Sequence, residues 1–172
     1  VWRSVAWMTL PLRRALGAGL TTVPVESINR LAGPLSRRVG IALPGDKAHK
    51  LGRRLRDVRG MDDLYTSLVS EWPQPEAIVV GGHIPANLLD DRSRWPRLPD
   101  PVARMMALDG LTYLPDDILV KVDRAAMAAS LETRTPFLDR SVIEFAWSLP
   151  MHMKIRNGQG KWLLRQLLDR HV

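Results

Sequence analysis

Proline and glycine recur so often along this chain that no regular element can run long. Thirteen prolines and 12 glycines fall within 172 residues. Each proline removes the N–H that an interior helical turn or a central strand requires. Between them, apolar residues return at three- and four-residue steps, which is helical spacing. This predicts helices over Leu12–Leu20, behind Pro11 as a first-turn residue, over Val25–Leu31, and over Asp46–Val58, with Pro44-Gly45 as a stop before a fresh cap at Asp46. In the last, Ala48, Leu51 and Leu55 share one side while Lys47, Lys50, Arg54 and Arg56 point elsewhere. Met61–Trp72 repeats the theme through Leu64, Leu68 and Trp72. Prolines at 73, 75, 85, 96, 99 and 101, with Gly81-Gly82, predict an irregular connection containing one helical turn near Pro85–Asp90. Helical spacing then resumes over 101–112, 115–130, 139–148 and 159–170. Ala77–Val80 is the only strand candidate, so the expected fold is mostly α.

The length suits one domain, or a large piece of one, with enough apolar residues to bury a core. The chain opens at Val1 and closes at Val172 on a charged, helix-like stretch, so both ends are expected to be cuts through a longer protein. No run reaches the roughly 18–20 apolar residues of a membrane span. Arg3, Pro11, Arg13 and Arg14 interrupt the opening segment, which argues against a leader or anchor. The absence of cysteine removes disulfides, thiolate metal sites and a cysteine nucleophile, and fits a cytoplasmic location. Charge is uneven: residues 1–60 hold 12 Lys/Arg against three acids, and the rest hold 13 against 15. A solvated, arginine-rich surface is the preferred reading of that asymmetry. Contact with nucleic acid or an acidic partner is the lesser one.

The richest segment runs Tyr113-Leu-Pro-Asp-Asp-Ile-Leu-Val-Lys-Val-Asp-Arg-Ala-Ala-Met127. On a helix, Asp117, Lys121 and Arg124 form one charged stripe beside Ile118, Val122 and Ala125. Spacing alone favours a surface ion pair. The following Ser130-Leu-Glu-Thr-Arg-Thr-Pro-Phe-Leu-Asp139 is expected to end the helix and turn at Thr135-Pro136. An extended backbone there would point Glu132 and Arg134 the same way. Ala125, Ala126, Ala128 and Ala129 would let a ligand or a neighbouring backbone approach closely.

The string YLPDDILVKVDRAAMAASLETRTPFLD, followed by VIEFAWSLP, Lys154 and GKWLLR at 160–165, closely resembles the synthetase domain of glutamine-hydrolysing asparagine synthetases. A weaker likeness covers 1–75, through Leu10-Pro-Leu-Arg13, Gly45-Asp-Lys47, Leu64-Tyr65 and Glu71-Trp72. The resemblance implies the helical C-terminal portion of an ATP-pyrophosphatase-type (adenine-nucleotide-α-hydrolase-like) synthetase domain, spanning residues 1–172. It also implies ATP and Mg2+ as cofactors of the intact enzyme. Aspartate would become β-aspartyl-AMP, and ammonia from a glutaminase domain would displace AMP. The implied partners are aspartate, ATP and that glutaminase domain, with a homodimer possible and neither nucleic acid nor membrane expected. By position, Asp117 and Lys121 would face the adenylate cleft, while Asp123, Arg124, Glu132 and Arg134 would support it or bind substrate.

The departures bear on the same reading. The family's SGGxDS phosphate loop and its acidic Gly-Glu-Gly-x-Asp-Glu segment do not occur here, and the lysine-bearing loop after the Leu-Leu-Arg helix would start beyond Val172. Gly158-Gln-Gly160-Lys161 is no substitute, because Trp162 stands where a phosphate loop needs Ser or Thr. As given, the chain carries one wall of a site and is expected to be inactive alone. Two alternatives remain open: a relative that activates another carboxylate, such as a β-lactam synthetase or a polysaccharide-cluster amidotransferase, and a basic helical nucleic-acid-binding module. His49, His83, His152 and His171 lack metal-ligand spacing, so no metal site is expected. Val142, Ile143, Phe145 and Trp147 are expected to pack in a core, with Met105, Met106, Met151 and Met153 filling gaps.

Overall fold

A computed structural model describes residues 7–38, 42–70, 78–83 and 85–171 and divides the chain into two units, Val1–Trp95 and Pro96–Val172. Among the described residues the architecture is mostly helical, as the spacing predicts, and no helix is long and apolar enough to cross a membrane.

The first unit holds α1 (Leu10–Thr22), α2 (Val25–Arg38), α3 (Pro44–Asp57) and α4 (Met61–Val69). Helix α1 packs against α3 through two glycines rather than through a leucine face. A Cβ on Gly17 would lie 2.4 Å from the Gly52 carbonyl oxygen, and one on Gly52 would lie 2.9 Å from that of Gly17. Of the expected stripe Ala48, Leu51 and Leu55, only Leu55 is buried. The start of α3 also differs from expectation. It begins at Pro44 and has no side-chain cap of its own, so Asp46 falls in its first turn. Asn29 of α2 supplies the missing acceptor instead, its Oδ1 taking the Gly45 N–H at 2.8 Å. Arg13, buried in α1, donates to the Val58 carbonyl at the end of α3, 3.2 Å away.

Helix α4 ends at Val69, and Trp72, Pro73 and Pro75 lie outside the described residues. Ile78–Val80 form a turn and not a strand, closed by the Gly82 N–H on the Val79 carbonyl, with Ala77 outside the described residues. The helical turn expected near Pro85–Asp90 appears slightly later, as a 3-10 turn at Arg92–Arg94. Asp91 caps it by accepting from Ser93, a local contact that Pro85 cannot offer. Trp95 pins this connection to α4: its ring meets Tyr65 edge-on at 6.1 Å, and its indole N–H donates to the Leu88 carbonyl.

In the second unit, Asp100 caps α5 (Pro101–Leu111) by accepting from the N–H groups of Val102 and Ala103. A π-helical turn (Leu114–Leu119) leads into α6 (Val120–Ala128), so the single helix expected over 115–130 is two registers joined. A 3-10 turn (Pro136–Leu138) precedes α7 (Arg140–Ser148), which Asp139 caps through Ser141. The short helix α8 (Met151–Lys154) then runs into β1 (Ile155–Arg156). This pairs antiparallel with β2 (Gln159–Gly160) before α9 (Trp162–His171). That hairpin replaces the first three residues of the helix expected from 159. Its cause is local: Asn157 and Gly158 take φ of 53° and 78°, the two left-handed centres of a two-residue hairpin turn.

Leu108 is the one side chain fully buried among the described residues. The core role expected for α7 does not hold, since Phe145 is 59% exposed and Val142, Ile143 and Trp147 are also open. Helical spacing tells which residues share a face, not what covers that face.

Candidate functional site

The segment singled out by sequence lies within the second unit. Asp117 sits in the π turn and Lys121 one turn on in α6, with Nζ and Oδ1 2.5 Å apart. The contact is asymmetric, because the Lys121 side chain is 71% exposed and the Asp117 side chain 33%. The Asp117 carboxylate, first by its hydrogen bond and then by its charge, raises the Lys121 ammonium above the ordinary lysine value. Lys121 therefore stays cationic through neutral and moderately alkaline pH, while its exposed amine keeps donors free for a further anion.

Beyond Ala128 the helix closes in a left-handed turn. The Leu131 N–H reaches back to the Ala126 carbonyl, the Ser130 N–H reaches the Met127 carbonyl, and Ser130 has φ 56°. The chain leaves this turn outside any regular element, and Glu132 and Arg134 meet at 2.9 Å as their two-residue spacing predicts. Both are largely exposed. Asp123 and Arg124 lie on α6, open to solvent, and among the described residues neither joins an ion pair. Of these four residues, Glu132 and Arg134 form an ion pair with each other. Arg124 shares a helix with Lys121 but takes no part in the Asp117 contact.

Three contacts in this unit were not read from the sequence. Lys154 Nζ stands 5.0 Å over the Trp147 ring, and the Arg156 guanidinium stands 4.8 Å over Trp162. Arg140 pairs with Glu144 at 2.7 Å, a contact that its four-residue spacing on α7 announces. Lys154 stands just before the hairpin and Arg156 in its first strand, each held by a tryptophan face rather than by a carboxylate.

Gly158-Gln-Gly160-Lys161 is the tip and exit of the hairpin. Lys161 itself takes φ 57° just before α9, and the Arg165 side chain donates to the Gly160 carbonyl. Among the described residues no three acidic or histidine side chains converge on a point that could hold a metal ion. Mg2+ in triphosphate chemistry is held by one or two carboxylates together with the phosphates. Asp117, the central carboxylate of the segment, is paired with Lys121.

What the segment offers is an exposed cation held by a carboxylate and, after α6, an exposed acid–base pair. The sequence pattern of the asparagine synthase family matches residues 2–172. The chain belongs to the asparagine synthase family. A putative asparagine synthetase [glutamine-hydrolyzing] of Mycobacterium tuberculosis is 50% identical over 70 residues, which is 41% of this chain and 11% of that relative. Asparagine synthetase [glutamine-hydrolyzing] 1 of Bacillus subtilis is 43% identical over 68 residues, 40% of this chain and 11% of its own length. Asparagine synthetase [glutamine-hydrolyzing] 3 of the same organism is 33% identical over 70 residues, with 41% and 11% covered. The matched stretch is thus about a ninth of the length of these asparagine synthetases. No solved structure matches the chain.

Proposed function

We propose that this chain forms part of the synthetase domain of a glutamine-dependent asparagine synthetase and supplies one wall of its aspartate-adenylating site. The full reaction would join ATP to the aspartate β-carboxylate, giving β-aspartyl-AMP and pyrophosphate. Ammonia released from glutamine by a glutaminase domain would then displace AMP. Family membership and the relatives' names support that reaction class. The observation that carries the role of these residues is the Asp117–Lys121 pair, 2.5 Å apart with the ammonium side open to solvent.

The chemistry asks for such a pair. Bringing a carboxylate to a triphosphate sets two anions against each other, and charge grows on the phosphorus-bound oxygens as the acyl–phosphate bond forms. A lysine fixed by a neighbouring carboxylate presents its positive charge without having to reorganise at that moment. Asp117 then acts as the anchor and Lys121 as the group that meets the anion. Glu132 and Arg134 would support the cleft or bind substrate from the segment after α6, and Asp123 and Arg124 would do so from α6 itself. Mg2+ would accompany ATP in the intact enzyme. Since the described residues gather no metal site, no step here depends on it.

The test is substitution in the full-length enzyme. Lys121→Ala and Asp117→Asn should each lower asparagine formation roughly a hundredfold, the scale of one positioned charge. Glutamine hydrolysis should hardly change. Thermal stability should hardly change, because the pair is a surface one. Wild-type synthetase turnover in both folded variants would make the pair structural only.

A further inference from the structure

The hairpin that leads into α9 carries a chemistry of its own, independent of the adenylation reading. The chain has three asparagines, Asn29, Asn87 and Asn157, and only the last is followed by glycine. Hydrogen bonds occupy the first two. Asn29 lies in α2, and its Oδ1 takes the Gly45 N–H at 2.8 Å. Asn87 Oδ1 takes the Leu89 N–H at 2.7 Å, while its own N–H goes to the Asp90 carboxylate at 3.0 Å. Asn157 differs. It is exposed in the hairpin turn, and neither its side chain nor the Gly158 N–H joins a hydrogen bond among the described residues. A Cβ built on Gly158 would meet nothing within 4 Å, so the space around that peptide nitrogen is open.

These features expose both partners of an intramolecular reaction. A backbone nitrogen can attack the side-chain carbonyl carbon of the asparagine before it and close a five-membered imide ring. Glycine hinders that attack least, because it has no Cβ. In a left-handed residue the next nitrogen lies opposite the side chain, and Asn157 has φ 53°, so the turn must open first. Only two residues on each side close it, and a hairpin that short is marginal by itself.

We propose that Asn157 is a self-modification site, where the Asn157–Gly158 peptide closes to a succinimide and reopens as aspartate or isoaspartate. In the first step the Gly158 nitrogen bonds to Asn157 Cγ and the Cγ–Nδ2 bond breaks. Ammonia leaves, carrying the proton that was on the Gly158 nitrogen. In the second step water cleaves one of the two imide C–N bonds, leaving a carboxylate and restoring the N–H. Cleavage at Cγ gives aspartate, which suits the same two-residue turn. Cleavage at the backbone carbonyl gives isoaspartate, whose longer backbone does not fit that turn. Either product places a negative charge next to Arg156, in a stretch without an acid from Met151 to Leu168.

The test is mass spectrometry of the full-length enzyme, kept folded for days in mildly alkaline buffer at physiological temperature. Peptides holding Asn29, Asn87 and Asn157 are followed together, so the first two serve as internal controls. Conversion of amide to acid at Asn157 should outpace that at the other two by roughly tenfold or more. In denaturant it should quicken further, because the turn no longer has to open. An Asn157 amide that stays intact in the folded enzyme while the denatured one converts would overturn the proposal. Equal conversion at all three asparagines in the folded enzyme would overturn it as well.

Discussion

Asp63 in α4 shows how much one side chain can organise when several donors converge on it. Its Oδ2 accepts the Arg59 N–H at 2.8 Å, and its Oδ1 meets the Arg92 guanidinium at 2.5 Å. Arg92 in turn lies 5.5 Å over the Trp95 ring. The Arg92 hydrogen bond, helped by the Arg59 N–H and the Arg92 charge, outweighs the upward push of burial and holds the Asp63 carboxyl below its ordinary value of 3.8. A carboxylate whose folded pKa is depressed stabilises the fold above its unfolded pKa, and that contribution vanishes as the pH falls through the folded pKa. Asp63→Asn should therefore cost at most about 1 kcal/mol near neutrality, because the pair is only partly shielded from water. The gap between variant and wild type should close as the pH is taken below 3.8. Denaturant titrations at neutral and acid pH would check this, and a gap constant with pH would assign the loss to packing instead. The Asp117–Lys121 pair differs in kind. It leaves the lysine exposed, so its expected consequence is chemical rather than thermodynamic.

At the scale of elements, the turns decide where side chains go, and some of them are legible while others are not. Periodicity placed most helix bounds to within about three residues, because apolar spacing reports which residues share a face, but it ended α2 at Leu31 where the helix runs on to Arg38. Asn157-Gly158 was equally readable as a hairpin, yet helical spacing from 159 onward masked it, and the two-residue strands carried no alternation to oppose that reading. The π turn was not readable, since Pro115 fits a first helical turn as comfortably as a widened one. Of the candidate site, spacing alone yielded the Asp117–Lys121 and Glu132–Arg134 contacts. The tryptophans under Lys154 and Arg156 emerged only when the chain folded back around the hairpin. The turn after α6 invites a direct test. Ser130 adopts φ 56° at a position that glycine fills at less cost, so Ser130→Gly should stabilise the protein by about 1 kcal/mol. The gain would appear as a raised thermal midpoint. A drop would mean that the Ser130 side chain matters more than its backbone.

At the scale of the molecule, the two units rely on different amounts of buried apolar surface. The second has Leu108 fully buried and much of its apolar surface open, and its local order comes from caps, turns and stacked cations. The first has Leu55, Val58, Tyr65 and Trp95 buried, and its α1–α3 contact admits no side chain at the point of closest approach. Glycine at 17 and 52 is thus a packing requirement, and the sequence hid it, because a glycine inside a helical pattern reads simply as a weak helix former. Gly19 supplies the control. It lies on the same helix as Gly17, but a Cβ there would meet nothing within 4 Å. Gly19→Ala should gain the ordinary helix propensity of alanine, about 0.5–1 kcal/mol. Gly17→Ala gains the same propensity but drives its Cβ to 2.4 Å from a backbone oxygen and 3.0 Å from the Arg56 nitrogen, neither of which can swing aside. The helices must separate, at about 1–3 kcal/mol for overpacking, so the net change should be destabilising. Opposite shifts in the unfolding midpoints of the two alanine variants are the expected result. Stabilisation by both would mean that α1 and α3 do not cross at Gly17 and Gly52.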